Sequence, residues 1–441
     1  MNISEYYTIK ECEDTVFLLP FGQGIADHKR GVTLNKSGAE LFDALKKGNM
    51  SGDELNENSD YISSLKNLGI IDPVSIVSYN DDVIFQNAEK SIFNQGKNNI
   101  YDNNIPSTFS VTGNKEDKIA KTSESKYNIA GININILGDS SLIHKGFELF
   151  KISGGAHPNI IKNPDKNDSL NPGSNSIPDL NIEIKKYDGT DPRHDFPVNY
   201  GAKPLIVNYR LCVYPSKDGD SYDLFFPSNR FVFYGNLAYD GNKAILYYIG
   251  SCKETDIKTI TNEIFHAIRL IFLYHASFKG MFAIHSASLL YKEKAWLFSG
   301  QSGTGKSTHT NLWHKNFDTP LINGDVNLVS VAGDTPMVHG TPWCGTSGIY
   351  DNKSYTLGGI TLLKQSLENR VNTLSLPHKQ LLVNQRIISP SWTEEMFDRN
   401  WDNTCLAVSD IFVSQLECRP DDAAALVMKK AIDDYLLLLN N

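Results

Sequence analysis

Gly300-Gln301-Ser302-Gly303-Thr304-Gly305-Lys306-Ser307-Thr308 fits G-x-x-x-x-G-K-[ST] at every fixed position. The apolar run 295–298 before it reads as a buried strand, and residues 308–315 after it read as the first turns of a helix. Strand, glycine loop and helix together make a phosphate cradle, in which successive backbone N–H groups converge on phosphate oxygens. In such a loop Lys306 reaches the β- and γ-phosphates as a point charge, and the Ser307 hydroxyl ligates Mg²⁺. That context separates the motif from a glycine-rich turn with a chance lysine.

Working outward, residues 282–291 and 294–299 are two strand-like runs with Lys292-Glu293 as a tight turn between them. The two runs are therefore expected to be antiparallel neighbours, so the glycine loop follows a hairpin instead of a parallel βαβ unit. His285 lies on the partner run, where a hairpin can bring it beside the phosphates. A lone histidine in a strand is otherwise a satisfied core residue. Downstream, the apolar run 320–322 leads into Asn323-Gly324-Asp325. A carboxylate at a strand end facing a phosphate loop can hold Mg²⁺, directly or through water, and can take a proton from an attacking hydroxyl. The other reading of Asp325 is a surface turn. The loop 339–347, rich in Gly, Thr and Ser, has two readings as well: hydroxyls and N–H groups that hold an acceptor, or a turn whose Trp343 packs inward. Cys344 has no neighbour that would activate a thiolate.

The rest of the chain divides by composition. Residues 1–75 carry short strands at 7–10, 15–19 and 32–34, a helix over 36–47 and a second helical run through Tyr61, Ile62, Leu65 and Leu68. Residues 79–127 are polar and read as a linker with little fixed structure. Residues 128–254 read as β-rich, with alternation at 132–136 and 180–184 and long runs at 205–214 and 222–234. A long helix opens at Thr255, and a packing helix closes the chain over 421–437. The fold class expected is mixed α/β, of the α+β kind.

At 441 residues the chain can hold about two or three domains. A net charge of −9 gives no basic footprint for nucleic acid. The six cysteines are scattered with no C-x-x-C spacing, which points to reduced thiols, a cytoplasmic setting and no zinc site. No apolar stretch is long enough to span a membrane, the N-terminus does not read as a signal peptide, and a homo-oligomer is left open.

Two resemblances follow from these residues. Gly31-Val-Thr-Leu-Asn-Lys-Ser-Gly-Ala-Glu-Leu-Phe42 and Ser64-Leu-Lys-Asn-Leu-Gly-Ile70 make a winged-helix pattern over 1–75. It resembles the PqqD-like peptide-recognition domains of peptide-modification (RiPP) systems. That resemblance implies a peptide partner added as a strand to a sheet edge, the alternative being a packing appendage. Residues 255–441 resemble the HPr kinase/PEP carboxykinase superfamily. The carrying stretches are Ile284-His-Ser-Ala-Ser288, the glycine loop, Leu321-Ile-Asn-Gly-Asp325, His339-Gly-Thr-Pro-Trp-Cys-Gly345 and Leu357-Gly-Gly-Ile-Thr-Leu362, in the family's order. This resemblance implies a kinase using ATP and Mg²⁺ on 300–308, with catalytic Asp325, His285 and Lys306, metal ligands Ser307 and Asp325, and a Ser or Thr hydroxyl of a peptide or small protein as acceptor. The alternatives are a kinase of a small hydroxy compound and a non-enzymatic ATP-binding adaptor. HPr kinases place two adjacent aspartates where this chain has Gly324-Asp325-Val326-Asn327. Either Asp325 does both jobs, or Asn327 helps to orient a metal-bound water. The family's loop arginine is also missing at Leu357-Gly-Gly-Ile360, so a phosphate-clamping arginine comes from elsewhere, with Arg370 and Arg386 as candidates.

Overall fold

The computed structural model describes residues 2–3, 6–27, 31–68, 70–72, 122–152, 178–189, 195–196, 202–250, 253–333 and 335–439. Most of the expected linker, and nearly all of residues 163–178, whose Asn, Asp, Pro and Ser content reads as a loop, lie outside these residues. Strand β1 (Asn2–Ile3) opens the chain, followed by β2 (Tyr7–Cys12), β3 (Thr15–Pro20), the short helix α1 (Gln23–Ala26) and β4 (Val32–Leu34). Helices α2 (Lys36–Lys46), α3 (Gly52–Glu57) and α4 (Ser59–Asn67) follow, and β5 (Ile71–Asp72) returns to pair with β1. The second expected helical run is α4, and the short α3 before it was not expected. Helix α3 opens on a capping box, in which Ser51 and Glu54 satisfy each other's backbone N–H groups. Strands β2, β3 and β4 form an antiparallel sheet. Strand β3 is apolar without alternation because both its faces are covered. Leu18 packs with Tyr7, Phe42, Ile62 and Leu65 beneath the unit's own helices. Phe17 and Leu19 point the other way, into a cluster with Phe397 and Trp401.

The middle of the chain builds one sheet of eight strands: β6 (Thr122–Ile129), β7 (Ile132–Asp139), β8 (Leu180–Lys186), β9 (Ile206–Val207), β10 (Cys212–Pro215), β11 (Ser221–Phe225), β12 (Val232–Ala238) and β13 (Lys243–Tyr248). Their order is β6-β7-β8-β13-β12-β11-β10-β9. Three expectations are corrected here. The polar linker does not extend to 127, because residues 122–127 belong to β6, paired residue for residue with β7. Polar side chains alternate along this edge strand, which hides it from a search for apolar runs. The run 205–214 is interrupted by a turn at 208–211, where the Asn208 side chain accepts from the N–H of Arg210 at 2.8 Å and of Leu211 at 3.0 Å. The run 222–234 is a hairpin, β11 paired antiparallel with β12.

Helix α5 (Glu254–Ser277) is apolar nearly all round in its second half, as a helix between two layers must be. On one side Ile260, Ile264, Ile268 and Ile271 join the core of the eight-stranded sheet. Glu263 grips that sheet directly, accepting from the N–H groups of Arg230, Phe231 and Val232 at 2.8–2.9 Å. On the other side lies the third sheet. Its members are β14 (Met281–Tyr291), β15 (Lys294–Ser299), β16 (Leu321–Asn323), β17 (Val326–Ser330), β18 (Met337–His339), β19 (Ser354–Gln365), β20 (Arg370–Thr373) and β21 (Phe412–Cys418). The order β15-β14-β17-β18-β19-β21-β20 closes on itself where β15 also pairs with β19. Helix α6 (Lys306–Phe317) follows β15. Helices α7 (Leu376–Asn384), α8 (Glu394–Val408) and α9 (Asp422–Leu439) complete the chain, with Ala424, Met428 and Ile432 of α9 buried. The class is mixed α/β as expected, and among the described residues no helix is long and apolar enough to cross a membrane. The five described cysteines are all free.

The N-terminal sheet docks on α8. Beyond the aromatic cluster, Lys10 pairs with Asp398 at 2.5 Å, and the Gly22 N–H donates to the Ser391 carbonyl at 2.8 Å. Trp401→Ala should empty the centre of that contact and cost about 3–5 kcal/mol, the usual range for a buried tryptophan. Denaturant unfolding of the two proteins measures it; equal midpoints would mean that the contact contributes nothing.

Candidate active site

The glycine loop is positioned by its hairpin. Lys292 and Glu293 both take positive φ, 47° and 60°, the backbone of the two-residue turn whose twist matches the flanking strands. The two strands are antiparallel neighbours, as the sequence led us to expect, and the turn sets Ser286 opposite Ser299 in the β14–β15 register. At the end of β15 the chain leaves the sheet into residues 300–305 and re-enters as α6. Gly303 and Gly305 take φ of 79° and 101°, which turn the loop back on itself. Thr304 Oγ1 donates to the Gln301 carbonyl at 2.8 Å, and Gln365 Nε2 from β19 donates to the Gly303 carbonyl at 3.1 Å. Among the described residues Lys306 Nζ reaches only the Gly300 and Gln301 carbonyls, at 3.4 and 3.5 Å. Those contacts are long for a cation, and burial lowers the Lys306 pKa. Ser307 and Thr308 are exposed at the start of α6. A nest of N–H groups, a weakly engaged lysine and an accessible hydroxyl fit a bound phosphate with its Mg²⁺.

Asp325 arrives from the other edge of the same strand. Strand β14 pairs with β15 on one side and with β16 and β17 on the other, and Asp325 sits in the break between β16 and β17. Asn323 shapes that break: its Oδ1 accepts from the N–H groups of Asp325 and Val326 at 2.9 and 3.0 Å, while its Nδ2 donates to the Thr341 carbonyl at 3.1 Å. His285 Nδ1 lies 3.0 Å from Asp325 Oδ1 and 3.2 Å from the Asp325 carbonyl oxygen. The two side chains are 34 % and 25 % exposed, so the pair is neither core nor free surface. The hydrogen bond from His285 is the main influence holding Asp325 below the usual carboxylate range; the charges of His285, Arg269 and Lys306 act the same way, against the burial that would raise it.

Two arginines act on the charged groups of this site, Arg386 on Lys306 and Arg269 on Asp325. Arg386, one of the two candidates from the sequence, lies within the field of Lys306, and its carbonyl accepts from the His285 N–H at 3.0 Å. Arg370 is elsewhere, paired with Glu417 at 2.9 Å across β20 and β21. Arg269 of α5 was not singled out in the sequence, where it reads as one charge interrupting an apolar helix. Its charge acts on Asp325, and burial lowers its own pKa. Asn327 is corrected: it is fully buried, with Nδ2 donating to the Ser286 carbonyl at 2.7 Å and Oδ1 accepting from Ser288 at 2.6 Å. Its amide is consumed by the sheet and orients no water in the cleft.

The loop 339–347 has its Trp343 packed inward, the second of its two readings. Trp343 is buried against Phe272 and Phe147, and its Nε1 donates to the Phe265 carbonyl of α5 at 3.1 Å. Residues 345–348 are exposed beyond it. They lie against Asp325, since a Cβ on Gly345 would stand 3.0 Å from the Asp325 Cγ. Cys344 is buried and its thiol is pushed up by that burial, so it is no nucleophile.

No family model matches the chain, and no curated protein matches it. Among solved structures, the Hpr(Ser) kinase/phosphatase from Coxiella burnetii is similar over 36 % of this chain and 92 % of that one, at 10 % identity and a TM-score of 0.22. A likeness of that size carries no functional weight, and what the chain does is read from the site itself.

Gly324 explains the absence of a second carboxylate. A Cβ there would stand 2.2 Å from the Ser347 Oγ, which is held by donating to the Cys344 carbonyl at 2.7 Å. Gly324→Ala should therefore cost about 1–3 kcal/mol, the usual cost of overpacking. Adding Ser347→Gly should recover most of it. Thermal unfolding of the single and double variants tests this; a double variant no more stable than Gly324→Ala would show that Ser347 is not the obstacle.

Proposed function

We propose that the protein is an ATP- and Mg²⁺-dependent phosphotransferase that moves the γ-phosphoryl group to a hydroxyl. The observation that carries this reading is the convergence, on the two edges of β14, of a complete phosphate loop and one carboxylate bonded to a histidine. In the transfer, the acceptor oxygen forms a bond to the γ-phosphorus while the bond to the β–γ bridging oxygen breaks. ADP leaves, and the hydroxyl proton passes to Asp325. Lys306 and the loop N–H groups hold the phosphates, and Arg386 supplies the second cation beside them. Mg²⁺ bound by Ser307 and Asp325 would neutralise phosphate charge. The remaining positions of such an ion would be filled by phosphates and waters. His285 uses Nδ1 to fix Asp325 Oδ1, leaving Oδ2 as the working oxygen, and its Nε2 has no protein partner among the described residues.

The acceptor belongs to the same proposal: a Ser or Thr hydroxyl of a peptide or small protein. In its favour, β4 pairs only with β3, so its outer edge carries no strand among the described residues and could take a peptide strand. A free hydroxy compound and an ATP-binding adaptor without turnover are the rival readings.

Lys306→Ala should abolish transfer in a protein that still folds, and Asp325→Asn should lower kcat by about a hundredfold or more, the scale of a positioned base. Full turnover by Asp325→Asn at saturating Mg²⁺ would remove Asp325 from the role. Tight ATP binding with no transfer by the wild type would favour the adaptor.

The pH dependence has a definite sign. A carboxylate held below its ordinary value of about 3.9 stays ionised until the pH falls below that value. The acid limb of kcat/KM should therefore lie below the ordinary carboxylate range, with no loss attributable to Asp325 between pH 7 and about 5. An acid limb above pH 5 that Asp325→Asn abolishes would contradict this.

A further inference from the structure

Asp325 lies in the short turn between β16 and β17, and Thr341 bonds to both ends of that turn. The Thr341 hydroxyl donates to the Val326 carbonyl at 2.9 Å, and the Thr341 carbonyl accepts from Asn323 Nδ2 at 3.1 Å. Asn323 Oδ1 accepts in turn from the N–H groups of Asp325 and Val326. The links run from Asn323 to Val326, from Val326 to Thr341 and from Thr341 back to Asn323, closing a ring across the turn. Thr341 and Asn323 are both buried. Beneath them the ring is anchored to β14: the Asn323 N–H donates to Ser288 Oγ at 3.1 Å, and Ser288 donates to Asn327 Oδ1.

The strand residues Leu328, Val329 and Val338 close by in the same sheet are apolar and buried. Apolar packing would hold the turn at less desolvation cost, but only hydrogen bonds fix direction as well as distance. The group so directed is the carboxylate. Thr341 also leads into the loop that carries Gly345 and Ser347, and both of these return to the same turn. A Cβ on Gly345 would stand 3.2 Å from Asp325 Oδ2, the oxygen that His285 leaves unengaged, and one on Gly324 would stand 2.2 Å from Ser347 Oγ.

We propose that Thr341 is a positioning residue for the phosphoryl transfer. It clamps the Asp325 turn from both ends and joins it to the loop 342–348. The carboxylate and the exposed rim of that loop thereby keep one fixed relation to the phosphate loop on the other edge of β14. The inference rests on the phosphotransferase reading and adds to it a residue that touches no substrate. Misplacing a reacting group by about 1 Å can cost about a hundredfold in rate, even when the cause is remote from the chemistry.

The test uses the full chain with ATP and saturating Mg²⁺, water serving as the acceptor. Thr341→Val keeps the shape and removes the donor. It should lower kcat by about tenfold or more, the rate equivalent of one hydrogen bond or greater, with KM for ATP within about twofold. Thr341→Ser keeps the donor and should stay within about threefold of the wild type. In hydrogen–deuterium exchange, peptides spanning 321–328 should exchange faster in Thr341→Val and return to the wild-type rate in Thr341→Ser. Should Thr341→Val fail to fold, Thr341→Ala set against Thr341→Ser isolates the same hydroxyl. Unchanged kcat in Thr341→Val, an equal loss in Thr341→Ser, or unchanged exchange over 321–328 would each overturn the clamp. Failure of the wild type to bind ADP or hydrolyse ATP would instead tell against the phosphotransferase reading, and the exchange measurement would still decide the clamp.

Discussion

Strand β14 is hydrogen-bonded along both edges at once, and the candidate site depends on that. One edge fixes β15 and so the start of the glycine loop; the other fixes β16 and β17 and so Asp325. The distance between phosphate cradle and carboxylate is then set by sheet spacing, about 4.8 Å per strand. Flexible side chains do not decide it. His285 is a residue of this same strand. Its N–H is held by the Arg386 carbonyl, its carbonyl accepts from Ser299 at 2.7 Å, and its ring holds Asp325. A site built in this way is preorganised before any ligand arrives, which is the condition under which fixed charges lower a barrier.

Helix α5 supplies the second constraint. It is the shared floor of two sheets, and its packing joins elements distant in the chain: Trp343 from the loop over Asp325, Phe147 from the middle unit and Ile268 from the helix itself lie in one core. A charged residue on such a helix is expensive unless it is used. Arg269 interrupts that apolar surface, and its charge acts on Asp325.

Much of this was legible in the residues. The glycine motif and the Lys292-Glu293 turn are local signals, and local signals survive translation into structure. Strands whose apolar residues alternate, such as β7 and β8, were equally plain. What escaped was set by tertiary contact. Strand β6 has its core residues, Tyr127 and Ile129, only at its end, and its polar first part is held by pairing with β7. The break between β9 and β10 depends on one Asn208 side chain. Arg269 could be found only by knowing that α5 passes the carboxylate. The N-terminal unit shows the same division. Its strands and helices follow from local patterns, but its docking on Phe397 and Trp401 does not. That docking alters how the unit can act: a peptide captured there would be presented from a fixed platform, and removing residues 1–75 would uncover the apolar face of α8.

The single carboxylate is best understood as a consequence of the loop above it. In a site with two adjacent acids, one can hold metal while the other takes a proton. Here the position before Asp325 is sealed by Ser347, and the one after the next, Asn327, is locked in the sheet. Asp325 is then the one carboxylate at this place. His285 engages Oδ1 through Nδ1, which orients the carboxylate, leaves Oδ2 unengaged among the described residues, and keeps it ionised. A carboxylate held below its usual range is a weak base, and it cannot draw the proton from a resting hydroxyl. In a loose phosphoryl transfer this is sufficient, because the hydroxyl becomes acidic only as its bond to phosphorus forms. Asp325 then needs position more than basicity, and position is what β14, Asn323 and His285 supply.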